Sequence, residues 1–246
     1  LTLLPMCFTR ILIKVLHKMS NQENFGKLMV MLDMQNKTNL KVHPQWVDQG
    51  FRWLRAVLVE GVEGLEHVGW KWWKKQSADM DQVRMELVDI FHFAMSDRLL
   101  KSGGDLEAAA RHIDAEMARG TVDISVSIMS GELVHNHKMG NEDIRDRMEA
   151  MVGLAACGFF SFSLFAALLK DADMTMDDLF KQYVAKNVLN FFRQDNGYKE
   201  GTYRKVWNGR EDNEHLVELM ADVDFSRSTA RDVLYVMLEK RYATTA

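Results

Sequence analysis

Hydrophobic residues recur along this chain at three- and four-residue intervals, with no long stretch of strict alternation. Leu28, Met31, Leu32 and Gln35 fall on one face of a helix predicted over 24–36. Lys37 to His43 form a polar break, and Pro44 is placed to open the next helix, where its missing N–H has no intrahelical partner to lose. That helix is predicted over about 45–66, with Trp46, Phe51, Trp53, Leu54, Val57 and Leu58 as its apolar positions. Gly61, Gly64 and Gly69 weaken its end. Asp79 or Asp81 can cap a helix over 82–101, which Ser102-Gly103-Gly104 stops. A shorter helix follows over 105–118. Residues 119–140 are the least regular stretch, with Gly120, Gly131 and Gly140 around a short apolar segment, Val122 to Met129. They read as an insertion or mobile lobe. Asn141 introduces a long helix predicted over 142–169, apolar on most sides and so suited to the bundle interior or a partner subunit. Thr175 can cap a helix at 176–194. Two last helices are predicted at 212–222 and 228–242, the second capped by Ser228.

The pattern predicts an all-α fold, a helical bundle over residues 21–246 with a smaller variable lobe at about 103–140. Composition agrees, with 17 methionines, only Pro5 and Pro44 as prolines, and 47% hydrophobic residues in 246. That is enough apolar material for one large core. A net charge of −4 argues against a general nucleic-acid binder. Cys7 and Cys157 are too few for a disulfide framework, and no apolar run reaches the roughly 18 residues of a membrane span. A cytoplasmic or nuclear location is therefore expected. Residues 1–20 stand apart as an extension, with Arg10, Lys14 and Lys18 but no acid, and Leu rather than Met first. Translated upstream sequence with Met19 as the start, a mitochondrial transit peptide at 1–18 (not the favoured reading), and a genuine first helix all fit.

Two short carboxylate pairs carry the candidate chemistry. Glu60 and Glu63 are three apart, and so are Glu86 and Asp89. That spacing puts each pair on one helix face. Two such faces brought together make an all-oxygen, strongly negative pocket suited to a hard cation such as Mg²⁺, which is bound by a few carboxylates plus substrate phosphates. Both pairs lie in apolar segments, where clustered carboxylates are costly without a compensating cation. Far downstream, Lys186, Asn190 and Arg193 fall at i, i+4 and i+7, and Gly197 then releases Tyr198 and Lys199 into a loop. A basic stripe opposite an acid cluster suggests a polyphosphate held between metals and cations.

Glu60-Gly-Val-Glu63, then Trp70-Lys-Trp-Trp-Lys74, then Glu86-Leu-Val-Asp89 resembles the metal signature of the dimeric, all-α dUTPases, within the MazG-like nucleoside-triphosphate pyrophosphatases. Gln35-x-x-x-Asn39 resembles that family's first motif. Lys186-Asn187-x-Leu189-Asn190-x-x-Arg193-Gln194-x-x-Gly197-Tyr198-Lys199-x-Gly201-x-Tyr203 resembles its last. The resemblance spans about 25–222 and implies hydrolysis of dUTP, and dUDP, to dUMP by a homodimer that binds neither nucleic acid nor membrane. It implies that Glu60, Glu63, Glu86 and Asp89 hold two or three Mg²⁺ ions and that Glu63 is the catalytic base. Lys186, Arg193, Tyr198 and Lys199 are then phosphate contacts, and Asn190 a contact to deoxyribose or phosphate. Gln35 and Asn39 then read uracil, Trp70 or Trp73 supplies stacking area, and Lys74 is a further substrate contact. Plainer roles stand next to these. Trp70, Trp72 and Trp73 can be core or dimer-interface residues, Gln35 and Asn39 a helix end and its cap, and His92 a core histidine. Gly61 and Gly64 are expected to loosen the first acid pair. A relative acting on another deoxynucleotide such as dCTP, or a non-enzymatic interaction protein, are the alternative readings.

Overall fold

A computed structural model describes residues 4–119, 125–130, 133–138 and 143–244, and the side chains of 22–119 and 143–244. Nine α-helices account for most of these residues, and the strands form two small hairpins. The first helix, α1 (Leu4–Val42), runs straight through the expected polar break. Its polar residues divide: Lys37 is exposed and pairs with Asp33 one turn back at 2.7 Å, while Gln35 and Asn39 are buried. Beyond Pro44 the predicted single helix is split in two. Trp46–Gln49 make one tight 3₁₀ turn, closed by Gly50 at φ 63°, a left-handed conformation that glycine adopts without penalty. The buried Trp46 donates its indole N–H to Asn36 Oδ1 at 3.0 Å and meets Trp53 edge-on. The second helix, α2 (Trp53–Val68), starts only then.

α3 (Met80–Lys101) begins where predicted, with Asp79 accepting from the Gln82 amide, and α4 (Leu106–Met117) is capped by Asp105. The irregular stretch contains a strand pair, β1 (Ser125–Ser130) and β2 (Leu133–Lys138), with Ser130 opposite Leu133. The expected helix over 142–169 is two helices, α5 (Ile144–Ala156) and α6 (Phe162–Asp171). Gly158 at φ 85° ends the first, with the Phe159 amide reaching back to Leu154 O, and Ser161 caps the second through the Leu164 amide. α7 (Met176–Asp195) opens on a capping box between Thr175 and Asp178. A two-residue hairpin, β3 (Val206–Trp207) and β4 (Arg210–Glu211), leads into α8 (Asp212–Met220). The last helix, α9 (Ala230–Ala243), has Thr229 rather than Ser228 at its cap position, and no side-chain bond closes it.

Two hydrophobic cores meet along α7. Leu28, Met31 and Leu32 of α1, Leu87, Ile90, Phe91 and Met95 of α3, and Phe165 of α6 surround Leu179 and Tyr183 in the first. Further along the helix, Leu189 and Phe192 belong to the second, with Trp207, Leu216, Leu234 and Leu238. α2 lies against α3 and α5. Its two mid-helix glycines are what permit this approach. A Cβ on Gly61 would stand 2.7 Å from Val152 Cγ2, and one on Gly64 3.0 Å from Met148 Cε and 3.7 Å from Glu86 Cβ. The expectation that they loosen the acid pair is therefore reversed, because they let α2 sit close enough to fix it. No described helix is long and apolar enough to cross a membrane.

Candidate active site

The packing of α2 on α3 brings the two carboxylate faces together. One oxygen from each of Glu60, Glu63 and Glu86 lies within 4.8 Å of the others, the one such cluster among the described residues. Burial pushes the Glu60 carboxyl up to about 8, and the neighbouring charges of Asp89, Glu86 and Glu63 push the same way. Burial, then Asp89, raises Glu86 to about 7. His67 Nε2 is 3.6 Å from Glu86 Oε1. Asp89, the fourth predicted ligand, stands apart from the cluster in an ion pair with Lys186 Nζ at 2.8 Å.

Across a cleft of about 950 Å³, α7 presents Lys186 and Arg193, and Tyr198 follows from the turn after it. A smaller recess of about 430 Å³ continues between α1 and α7, and Asn190, Phe93 and Thr38 line it. Glu60, Asp89, Lys186, Arg193 and Tyr198 border both. The basic stripe is braced from a direction the sequence did not indicate. Arg193 donates through Nε and Nη2 to the two oxygens of Asp212, each at 2.8 Å, and Tyr203 O–H donates to Asp212 Oδ2 at 2.8 Å. Asp212 is fully buried. Asn213 Oδ1 accepts from Lys186 at 3.2 Å and from Arg193 at 3.3 Å, and Arg193 Nη1 donates to Asn190 Oδ1 at 3.3 Å. Asp212 and Asn213 were missed because a capping-type Asp-Asn at a helix start carries no sequence mark of a distant arginine.

Gln35 and Asn39 are not a frayed helix end. Both are buried on α1 facing α3 and α7. Gln35 Nε2 donates to Asn39 Oδ1 at 3.0 Å and to Ser96 Oγ at 2.9 Å, Asn39 Nδ2 donates to Ser96 Oγ at 3.1 Å, and Tyr183 O–H lies 2.7 Å from Gln35 Oε1. Ser96 and Tyr183 were also missed, as each stands out only once helices meet. His92 is a core residue, stacked on Tyr183 at 4.0 Å with Nδ1 against Val88 O, and burial lowers it to about 4, so its ring is neutral.

The tryptophan block is not core. Trp70, Trp72 and Trp73 are exposed, Trp72 at 90%, in an edge-on cluster after α2. Glu66 holds its base, accepting from Trp70 Nε1 and Lys71 Nζ at 2.7 Å each. Trp70, Lys74 and Lys199 line neither the cleft nor the recess.

A comparison with curated proteins returned no match. The profile of the dUTPase family matches residues 27–198, which include both acid pairs, the Gln35–Asn39 turn and the basic stripe. The all-α bundle, with acidic and basic faces brought together across one cleft, places this chain in the all-α dUTPase family, hydrolases that act as dUTP diphosphatases.

Proposed function

We propose that the enzyme converts dUTP, and dUDP, to dUMP in a Mg²⁺-dependent reaction in the cleft between α2–α3 and α7. The observation that carries this reading is the convergence of Glu60, Glu63 and Glu86 within 4.8 Å, opposite Lys186, Arg193 and Tyr198. The all-oxygen donor set fits a hard divalent cation, and burial together with the neighbouring acids raises the Glu60 and Glu86 carboxyls. Glu60, Glu63 and Glu86 would hold two or three ions, with Asp89, one turn beyond Glu86, as the fourth carboxylate. When bound, Mg²⁺ offsets phosphate charge and makes water a better nucleophile at neutral pH.

The side chains supply positioning and proton transfer. Glu63, the exposed member of the cluster, accepts the proton of the attacking water as general base. A new P–O bond forms from that water, the bridge between the nucleoside phosphate and the rest of the chain breaks, and pyrophosphate leaves from dUTP or phosphate from dUDP. Lys186, Arg193 and Tyr198 hold phosphate oxygens, and the Asp212 brace fixes the plane of the Arg193 guanidinium at the cleft wall. Asn190 contacts deoxyribose or phosphate from the recess. The resemblance assigns Gln35 and Asn39 to the uracil edge; both are buried in the single chain and line neither the cleft nor the recess. Trp70, Lys74 and Lys199 would reach the nucleotide only through movement of their exposed segments, and they stand outside these contacts.

The test is pyrophosphate and monophosphate release from a panel of deoxynucleotides, with Mg²⁺ and with a chelator. Turnover of dUTP and dUDP that stops on chelation is expected. Turnover of dCTP at least equal to that of dUTP would sink the uracil assignment, and full activity in chelator would sink the metal site.

A further inference from the structure

The neighbours of Asn213 dictate which way round its amide is held. Its Oδ1 accepts from Lys186 Nζ at 3.2 Å and from Arg193 Nη2 at 3.3 Å. An ammonium and a guanidinium carry donors only, so neither tolerates an amide NH₂ in that place. Turning the amide would set donor against donor twice. The oxygen therefore faces the two cations, and Nδ2 is left with two N–H groups that find no acceptor among the described residues. Asn213 is half-buried and lines the cleft, so those groups are offered to what fills it. The acids farther out on the same wall have partners of their own, Glu211 with Lys205 at 3.1 Å and Glu218 with Arg210 at 2.8 Å.

The position of Asn213 along the site selects the part of a nucleotide it meets. Asn190 and Phe93 line the recess and not the cleft, and Asn213 lines the cleft and not the recess. Lys186, Arg193 and Tyr198 border both. A nucleotide with its sugar at Asn190 runs its phosphate chain past these shared residues and comes to Asn213 with the phosphates farthest from the nucleoside. Those are the phosphates that leave on hydrolysis. Their oxygens are charged acceptors, the partners with which an N–H makes its stronger bonds. A neutral amide can grip them without adding to the positive charge of the lysine and arginine it already joins.

We infer that Asn213 is a contact to the leaving phosphates: Lys186 and Arg193 fix its oxygen, and its NH₂ is presented to the outer end of the phosphate chain. This role rests on the reading of the cleft as the phosphate site and the recess as the nucleoside site. It adds to the site a residue from beyond the stretch 27–198 that the family profile matches.

The experiment is calorimetry with Mg²⁺ present, using two ligands: dUMP, and dUTP with an imido group in place of the oxygen between its first two phosphates, which blocks cleavage. The proteins are the wild type, Asn213→Ala, Asn213→Asp, Lys186→Ala and Tyr198→Phe, with thermal melts to confirm folding. In Asn213→Ala the triphosphate analogue is expected to bind at least about tenfold more weakly, while dUMP stays within twofold of the wild type. Asn213→Asp keeps an oxygen for the two cations and turns the NH₂ into a second carboxylate oxygen, so the analogue weakens further and dUMP again holds. An Asn213 that only clips Lys186 to Arg193 would weaken both ligands alike, because those cations border both spaces, and equal losses for the two ligands overturn the inference. Unchanged binding of the analogue in a folded Asn213 variant overturns it too. Lys186→Ala and Tyr198→Phe report on the underlying reading, since each is expected to weaken both ligands. If neither weakens either ligand, the cleft is not the phosphate site and the role of Asn213 falls with it. Should Asn213→Ala fail to fold, Asn213→Asp decides by the same comparison.

Discussion

Glu60 and Glu86 hold protons more tightly in the folded chain than an ordinary carboxyl does, because the fold buries them and sets other acids around them. The sign of the consequence is fixed. From about pH 5 to about pH 8 these two carboxyls bind more protons in the folded chain than in the unfolded one; buried His92 works the other way up to about pH 6.5, but two groups outweigh one and metal-free stability falls as pH rises through that window. Melting temperatures in chelator should decline from pH 5 to pH 8, and the Glu60→Gln/Glu86→Gln double variant should flatten the decline. A chelated wild type that melts higher at pH 8 than at pH 5 would contradict the clustering. Mg²⁺ should restore stability at the alkaline end and release protons as it binds, which calorimetry in buffers of different ionisation enthalpy detects. Single Glu86→Gln and Glu63→Ala chains should fold yet lose at least about 10²-fold in kcat, as enzymes do when groups acting on transition-state charge are removed.

Helix faces explain how much of this was legible in advance. The i, i+3 spacing of the acids and the i, i+4, i+7 spacing of Lys186, Asn190 and Arg193 are local facts, and the structure keeps each set on one face. What periodicity could not show was which faces meet. Asp89 pairs with Lys186 instead of joining the cluster, and Asp212 reaches Arg193 from another helix. Boundaries failed where one residue outweighed the pattern, at Gly50 and at Gly158 with Ser161, or where tertiary burial outweighed polarity, at Gln35 and Asn39. Gly61 gives the sharpest test at this scale. Gly61→Ala should destabilise by about 1–3 kcal/mol, because the methyl meets Val152. Gly26→Ala, in α1 with nothing within 4 Å, should stabilise by up to about 1 kcal/mol from helix propensity alone. Denaturant midpoints measure both, and equal signs for the two would remove the close-packing argument.

For the whole molecule, a homodimer is the expected assembly. Trp72, Trp73 and Phe159 are large apolar side chains left in solvent by the single chain. Light scattering at working concentration should report twice the mass of one chain, and a monomer would count against it. The Asp212 brace bears on where the enzyme ends as a folding unit. The family match stops at residue 198, yet Arg193 owes its counter-ion to residue 212, and Leu189 and Phe192 owe their cover to Trp207, Leu216, Leu234 and Leu238. A chain cut after 198 would keep both acid pairs and the stripe from Lys186 to Tyr198 and strand the Arg193 guanidinium without its partner, a loss of about 3–5 kcal/mol before any bared apolar surface is counted. The motifs that identify the enzyme are therefore a shorter stretch than the polypeptide needed to hold them in working order.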